Sequence, residues 1–478
     1  MIEKLVPVDL PPGFLHNGTR YEAKGRWYDG NLVRWHQGAL QPVGGWERLK
    51  DGALANMAQL SGSPSAIIGH QPTTGSPWLV VGTTQGLFAM YPDATGTAWT
   101  NISPSGFTPN VSWQLDVFGD LLVAHSYGSG YNVYTWDGDA ANDAVAVTGT
   151  PTQVLGGVVV TPERFMFVLG AGNNLRKVQW PDQETTDTWT PSGTNQAGDI
   201  ELQTRGALLT GQRVKGQTLL FTTYDVWSAT YIGGTFIYSF RQEGDACGLI
   251  GPHAATVADS RAFWMGPSGF FMYDGYVRPL PCDVFDKVFG EIKASGQSLG
   301  DQNCSVAAWA NTAFDEIWWF YGTAGNTLGN DRYVKYNYRT GAWDYGTLGR
   351  NAASNFPYVR YPILADTNGF VYKHEKGDDH DTATAYIESG PFEIEDADLV
   401  YRIQRIVPDE KTSGQTQMHV YTSMWPDESE TTNGPYTMSR PTDVRLTTRF
   451  ARVKITEVAD ASWRVGKPKF GVIPLGRR

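Results

Sequence analysis

A chain of 478 residues is long enough for about two to four domains, or for one large repeat body with an addition. Its net charge of −11 excludes the basic surface that a tight grip on nucleic acid phosphates requires, and leaves at most a weak, repulsive contact with DNA. Aromatic residues make up 13% and glycines number 54, a pairing that suits many short strands joined by tight turns and predicts a mainly β protein.

The three cysteines, Cys247, Cys282 and Cys304, are odd in number, far apart and without CxxC spacing, so neither a disulfide framework nor a zinc site is expected of them. The first residues, Met1 to Pro7, lack the apolar core of a signal peptide, and no run approaches the roughly 18 apolar residues of a membrane helix. The expectation is a chain made in a cytoplasm and kept reduced there. Its sequons at Asn17, Asn101, Asn110 and Asn303 are then incidental.

In chain order, residues 1–50 are rich in Pro, Gly and Trp, as in Pro11-Pro12-Gly13, Trp27-Tyr28-Asp29-Gly30 and Gly44-Gly45-Trp46. They read as strands and turns that dock on the body that follows. Strand-like runs then recur, each with an aromatic near a turn: Tyr91, Trp136, Trp180, Trp227, Tyr273, Phe320 and Tyr372. The steps between them are 45, 44, 47, 46, 47 and 52 residues. Repeats of about 40–50 residues, each holding several short strands, are what propeller blades produce. Several runs are apolar on both faces, such as Trp78-Leu79-Val80-Val81, Leu121-Leu122-Val123-Ala124 and Ile317-Trp318-Trp319-Phe320. A blade stacked between two others buries both faces, so this character favours a propeller over a sandwich.

Residues 206–293 show the plan most clearly. Gln217 to Phe221, Ala262 to Met265 and Gly269 to Tyr273 are aromatic-rich runs bounded by turns, the last closing on Asp274-Gly275. Val284, Phe285, Val288, Phe289 and Ile292 then place one apolar stripe on a short helix. From the charged loop Lys376-Gly377-Asp378-Asp379-His380-Asp381 onward, runs at 383–387, 401–407, 417–422, 443–447 and 450–456 alternate more cleanly, the mark of half-exposed sheets. The predicted fold is therefore mainly β: a degenerate six- or seven-bladed β-propeller over 51–379, a C-terminal β-sandwich-like domain over 380–478, and the 1–50 segment docked on the propeller.

Chemistry is sparse. The histidines (16, 36, 70, 125, 253, 374, 380, 419) are scattered, and no HExxH, G-x-S-x-G or P-loop pattern occurs. Asp378, Asp379, His380 and Asp381 could hold a divalent ion, but adjacent ligands on one loop rarely converge, and a solvated boundary loop is the better reading. Gly170-Ala171-Gly172 and Gly233-Gly234 read as hairpin turns, and Asp427-Glu428-Ser429-Glu430 as a solvated loop. Arg402, Arg405, Arg445, Arg449 and Arg452 offer a basic face for an acidic neighbour, or ordinary surface charge. No catalytic, cofactor-binding or metal-ligating residue is assigned, and no cofactor or enzymatic activity is expected.

The run Gly216-Gln217-Thr218-Leu219-Leu220-Phe221, then Val226-Trp227, then Glu243-Gly244-Asp245-Ala246-Cys247-Gly248-Leu249-Ile250-Gly251-Pro252 resembles the tail nozzle proteins of short-tailed bacteriophages, also called packaged-DNA stabilisation or tail tubular proteins. The resemblance continues through Ala262 to Gly266, the Tyr273-Asp274-Gly275 hairpin and the 283–293 helix, and returns at Arg449 to Ile455 and Gly471 to Pro474. It covers roughly 90 central residues and the C-terminus. It implies a propeller with an added β-domain, assembled with copies of itself as a homohexameric ring below a tail adaptor bound to the portal, with tail fibre or spike proteins as further neighbours. Packaged DNA would be retained and later pass through the ring bore without tight binding, and the protein would be found in the virion tail after synthesis in the bacterial host. The family brings no catalytic residues. Two other classes stand beside it: a carbohydrate-binding propeller of a tail spike or fibre complex, and a propeller glycan hydrolase or lyase.

Overall fold

The computed structural model describes residues 3–477 apart from 129, 235, 297–299, 301–303, 325–328, 395–398, 426 and 427. Asn303 and Asp427 therefore lie outside the described residues.

Seven four-stranded antiparallel sheets follow one another along the described chain. Blade one holds Pro64–His70, Trp78–Thr83, Gly86–Met90 and Thr100–Asn101. Blade two holds Ser112–Phe118, Leu121–Tyr127, Val133–Trp136 and Val145–Ala146. Blade three holds Gly157–Val160, Met166–Leu169, Lys177–Trp180 and Gly198–Glu201. Blade four holds Leu208–Val214, Gln217–Thr222, Val226–Tyr231 and Tyr238–Gly244. Blade five holds Ala255–Ala258, Arg261–Gly266, Gly269–Tyr273 and Val277–Leu280. Blade six holds Ala307–Asn311, Glu316–Tyr321, Arg332–Asn337 and Trp343–Thr347. Blade seven takes Ala352–Ser354, Ile363–Ala365 and Val371–His374, and its outer strand is Trp46–Arg48 from the other end of the chain. The first strand of each blade packs on the first strand of the next, and that of blade seven packs on that of blade one. The closed ring is a seven-bladed β-propeller.

Side-chain alternation explains why the blades stack. Leu79 and Val81 of blade one pack with Ile363 and Ala365 of blade seven, whereas Val80 packs with Trp113 and Leu122 of blade two. Val123 then turns to Val158 and Val168 of blade three, and Phe167 and Leu169 turn to Leu220 of blade four. The second strands are accordingly rich in apolar side chains on both faces, most completely in Met166–Leu169 and Glu316–Tyr321. Fully burying each such side chain contributes about 1.5–3 kcal/mol. Blades one and two approach closely at a glycine: a Cβ on Gly82 would stand 2.6 Å from Cβ of Trp113.

The helix Phe285–Ser295 follows blade five. Val288 and Ile292 face inward, the Phe289 ring meets Phe270 at 5.6 Å, and Gly296 ends the helix at φ 71°. Its first turn is held from afar: Asp286 N–H donates to Asn17 Oδ1 at 3.1 Å.

The C-terminal part is a two-sheet sandwich. One sheet runs in the order Lys4–Pro7, Lys469–Gly476, Val400–Val407, Thr442–Thr448. The other runs Trp27–Asn31, Tyr386–Ser389, Phe450–Glu457, Thr416–Ser423, Thr431–Thr437, with Phe392–Glu393 also pairing on Phe450–Glu457. Residues 1–50, expected to dock on the propeller, are shared between propeller and sandwich. Two of their strands complete the sandwich sheets and a third completes blade seven, because each supplies backbone partners to an otherwise open sheet edge. A hairpin of Val33–His36 and Ala39–Pro42 lies between. One continuous buried cluster consequently runs from Trp264 and Trp319 of blades five and six, through Phe14, Leu32 and Val43, to Ile403 and Val453 of the sandwich.

Candidate functional site

Two places gather polar side chains in an otherwise apolar body. The first is the central channel, a cavity of 370 Å³ to which the first strands of all seven blades contribute. That volume holds on the order of ten waters. Its polar groups are knitted together. Arg213 Nη1 donates to Asp116 Oδ2 at 3.0 Å and to the Val160 carbonyl at 2.8 Å, while Asp116 Oδ2 accepts the Val160 N–H at 2.8 Å. Gln114 Nε2 donates to Thr210 Oγ1, and its Oε1 accepts both Tyr127 O–H and Val158 N–H at 3.0 Å. Blades two and four thus clasp each other over the first strand of blade three. Gly211 makes room for this, since a Cβ there would stand 2.5 Å from Val159 Cγ1. His253 lines the same channel; burial lowers its pKa to about 4, so its imidazole is neutral at pH 7. Apart from His253 Nε2, which has no hydrogen-bond partner among the described residues, these groups are bonded to one another.

The second place is the joint between propeller and sandwich. Arg34 is 1% exposed and donates to two carboxylates. Its Nε and Nη2 reach Glu316 at 3.1 and 2.8 Å, and its Nη1 and Nη2 reach Glu375 at 2.8 and 2.6 Å. The guanidinium carbon lies 3.7 Å from the centre of the Phe314 ring. Lys335 Nζ adds bonds to Glu316 at 3.0 Å and to the Val33 carbonyl at 2.8 Å, and pairs with Asp344 at 3.2 Å. Burial works to raise the pKa of Glu375, but Arg34 and the Gly44 N–H outweigh it and hold the carboxyl below its usual range.

The cluster has three carboxylates against two cations, and the surplus charge falls on Asp344. Burial pushes its pKa up to about 7; Lys335 pulls it down and Glu316 pushes it further up. A folded-state pKa above the unfolded value of about 3.9 means that the stabilisation is complete below about pH 4 and is lost as pH rises through about 7. Asp344→Asn is therefore expected to gain thermal midpoint relative to the parent as pH rises from 5 to 8. Thermal melts of both across that range check this, and a difference independent of pH contradicts it.

The residues singled out in the sequence are distributed as follows. The 376–381 loop is not simply solvated. Its backbone zips onto the N-terminal crossing through Lys376 N to Gly45 O (3.0 Å) and Trp46 N to Asp379 O (2.9 Å). Asp381 accepts Trp46 Nε1–H at 2.6 Å, and His380 is turned fully inward. Glu430, expected in a solvated run, accepts from Arg452 at 2.5 Å, and Arg452 is 5% exposed. The five arginines do not share a face. Arg402, Arg405 and Arg445 are exposed on the first sandwich sheet, Arg452 is buried on the second, and Arg449 lies over the Trp425 ring at 4.6 Å. Gly170, Gly172, Gly233 and Gly234 all take positive φ in turns. The Arg34 cluster escaped sequence reading because its members span 341 residues between Arg34 and Glu375. The local signal was a charge set into an apolar run, as in Val33-Arg34-Trp35 and Glu316-Ile317-Trp318-Trp319.

No helix among the described residues is long and apolar enough to cross a membrane. No family model and no curated protein matches the chain. Solved structures that it resembles include the extracellular domain of a one-component system from B. thetaiotaomicron, at 10% identity and TM-score 0.37, covering 79% of this chain and 57% of that one. The chain thus spans less than two thirds of that domain's length. The WD40 domain of Pan2 from Neurospora crassa is 10% identical at TM-score 0.40, covering 71% of this chain and 96% of that one. BamB from Moraxella catarrhalis is 12% identical at TM-score 0.34, covering 69% of this chain and 100% of that one. Likenesses of this size bear on neither function nor partners.

Proposed function

We propose that this chain is a structural virion protein, a tail nozzle that assembles as a sixfold ring at the distal end of a short phage tail, retains packaged DNA and forms its exit channel. The observation that carries this reading lies in the stretch resembling that family. It folds as one contiguous wedge of blades four and five with the helix Phe285–Ser295. The hairpins joining the third and fourth strands of these blades occupy equivalent positions, and so project from the same rim. They bear Ile232, Phe236 and Tyr276, which are 57%, 76% and 73% exposed. Three exposed large apolar side chains on one rim offer a contact surface. In a ring, that rim meets a neighbouring copy or the adaptor.

The propeller's own channel is not the DNA path, because 370 Å³ is far too little for a duplex whose major groove alone is about 12 Å wide. The path is the bore enclosed by the ring. A net charge of −11 favours a bore that lets phosphates slide past. The stitching of both chain ends into the sandwich, and of Trp46–Arg48 into blade seven, suits a part that bears internal pressure. The sugar-binding alternative needs open aromatic platforms, and would draw on the same exposed Phe236 and Tyr276. Trp425 is 59% exposed, but Arg449 covers one face of its ring.

Native mass spectrometry of the protein mixed with the tail adaptor tests the proposal. Six copies per adaptor complex are expected. Phe236→Asp with Tyr276→Asp weakens assembly by at least about tenfold, a loss of about 1.4 kcal/mol, with the thermal midpoint unchanged. Undiminished assembly of the double variant, or a trimer that binds host polysaccharide and ignores the adaptor, overturns it.

A further inference from the structure

We propose that His380, Glu457 and Asp460 form a binding site for a divalent cation of the zinc class at the joint between propeller and sandwich. The three come from different parts of the chain. His380 stands in the linker that leaves blade seven, Glu457 ends the strand Phe450–Glu457, and Asp460 lies in the turn after it. One donor atom from each lies within 4.8 Å of the others.

The hydrogen bonding of His380 fixes which nitrogen faces the carboxylates. Nε2 lies 3.0 Å from the Val43 carbonyl, which only accepts, so Nε2 carries the proton. The lone pair of Nδ1 then points to Glu457 Oε1 at 4.0 Å and Asp460 Oδ1 at 3.9 Å. Nδ1 is buried and has no hydrogen-bond partner among the described residues, and the side chain is 0% exposed. An unpartnered buried nitrogen facing two carboxylates is unfavourable unless something positive lies between them. A proton on Nδ1 would draw one carboxylate to about 2.8 Å. The separations found here, 4.0 and 3.9 Å, are too long for such a bond and leave room for an ion that draws the groups together. Two ligands each about 2.0–2.2 Å from zinc at a tetrahedral angle stand roughly 3.3–3.6 Å apart, so the ion draws the three groups, now within 4.8 Å of one another, closer on binding.

The donor set of one imidazole and two carboxylates selects zinc and its neighbours over calcium and magnesium, which take oxygen ligands. The surrounding contacts are those of a supported site. His380 Nε2–H is anchored on Val43, Glu457 Oε1 accepts the Ala385 N–H, and Glu457 Oε2 accepts Trp463 Nε1–H at 3.3 Å. Asp460 is 42% exposed, so the ion has a way in and one coordination position faces solvent. An ion here ties the linker, the N-terminal crossing at Val43 and the end of a sandwich strand into one unit.

The test uses the full chain after dialysis against a chelator, titrated with Zn²⁺ by calorimetry and with Co²⁺ by absorption. One ion per chain is expected, with Co²⁺ bands of four- or five-coordinate nitrogen and oxygen ligation, and the thermal midpoint rises by a few degrees at a hundredfold excess over Kd. Asp460→Asn, at an exposed position that does not threaten folding, weakens binding about tenfold or more and removes the midpoint shift; His380→Gln abolishes both. No binding at about 100 μM Zn²⁺, or an affinity that Asp460→Asn leaves unchanged, overturns the proposal.

Discussion

Arg34→Ala is expected to cost about 3–5 kcal/mol, because it leaves Glu316 and Glu375 as buried carboxylates without their shared cation. The loss exceeds that of an ordinary core truncation because the penalty lies in what remains. Glu316 is 3% exposed and would keep only Lys335 and Trp318, while Glu375 would keep Asn311 and the Gly44 N–H. The three segments that meet at Arg34 are the N-terminal hairpin, blade six and the linker after blade seven, so the damage falls on the joint rather than on one blade. Arg34→Met combined with Glu316→Gln and Glu375→Gln removes the unpaired charges and is expected to recover much of the loss. Chemical denaturation of the parent, the single variant and the triple variant checks this. A single variant within about 1 kcal/mol of the parent would contradict it.

Removal of residues 1–48 is expected to abolish folding altogether. It strips an edge strand from each sandwich sheet and the outer strand from blade seven, and takes Arg34 with them. Backbone pairs Tyr372 with Arg48 and His374 with Trp46 are lost, and an open edge is left on Val371–His374. The Trp46 ring also goes from beside His374, 5.3 Å away, and from Arg350, whose guanidinium carbon lies 5.3 Å from it. The variant should collect as aggregate. Removal of residues 1–8 takes only the Lys4–Pro7 edge strand and should leave a folded chain with a lower midpoint. Size-exclusion chromatography with thermal melts distinguishes these outcomes. A monodisperse 49–478 chain melting within a few degrees of the parent would refute the closure argument.

The propeller was legible in the sequence because blade stacking writes itself into side chains. A strand covered on both faces is apolar at most positions, and Leu121–Tyr127, but for His125 and Ser126, and Glu316–Tyr321, but for Glu316, are. The seven aromatics chosen as landmarks fall one to a blade. Trp136, Trp180 and Tyr273 close third strands, and Tyr91 follows one, whereas Phe320 sits in a second strand, which is why the last steps are uneven. The helix was legible from the spacing of Val288 and Ile292. Closure of blade seven was not, because edge pairing uses backbone groups that every residue has. Nor was the inward turn of His380. Its neighbours Asp378, Asp379 and Asp381 are charged, and only the path of the backbone, with Asp381 at φ 57°, sends the imidazole one way and the carboxylates another. The Arg34 cluster was hidden for the same reason: nothing local records a partner hundreds of residues away.

Cryo-electron microscopy of the protein bound to its portal–adaptor complex tests the nozzle reading most directly. The account predicts a sixfold ring continuing the tail below the adaptor, with Ile232, Phe236 and Tyr276 covered by neighbours and a bore of net negative charge. A trimer, a monomer that ignores the adaptor, or a bore continuously lined by Lys and Arg would contradict it.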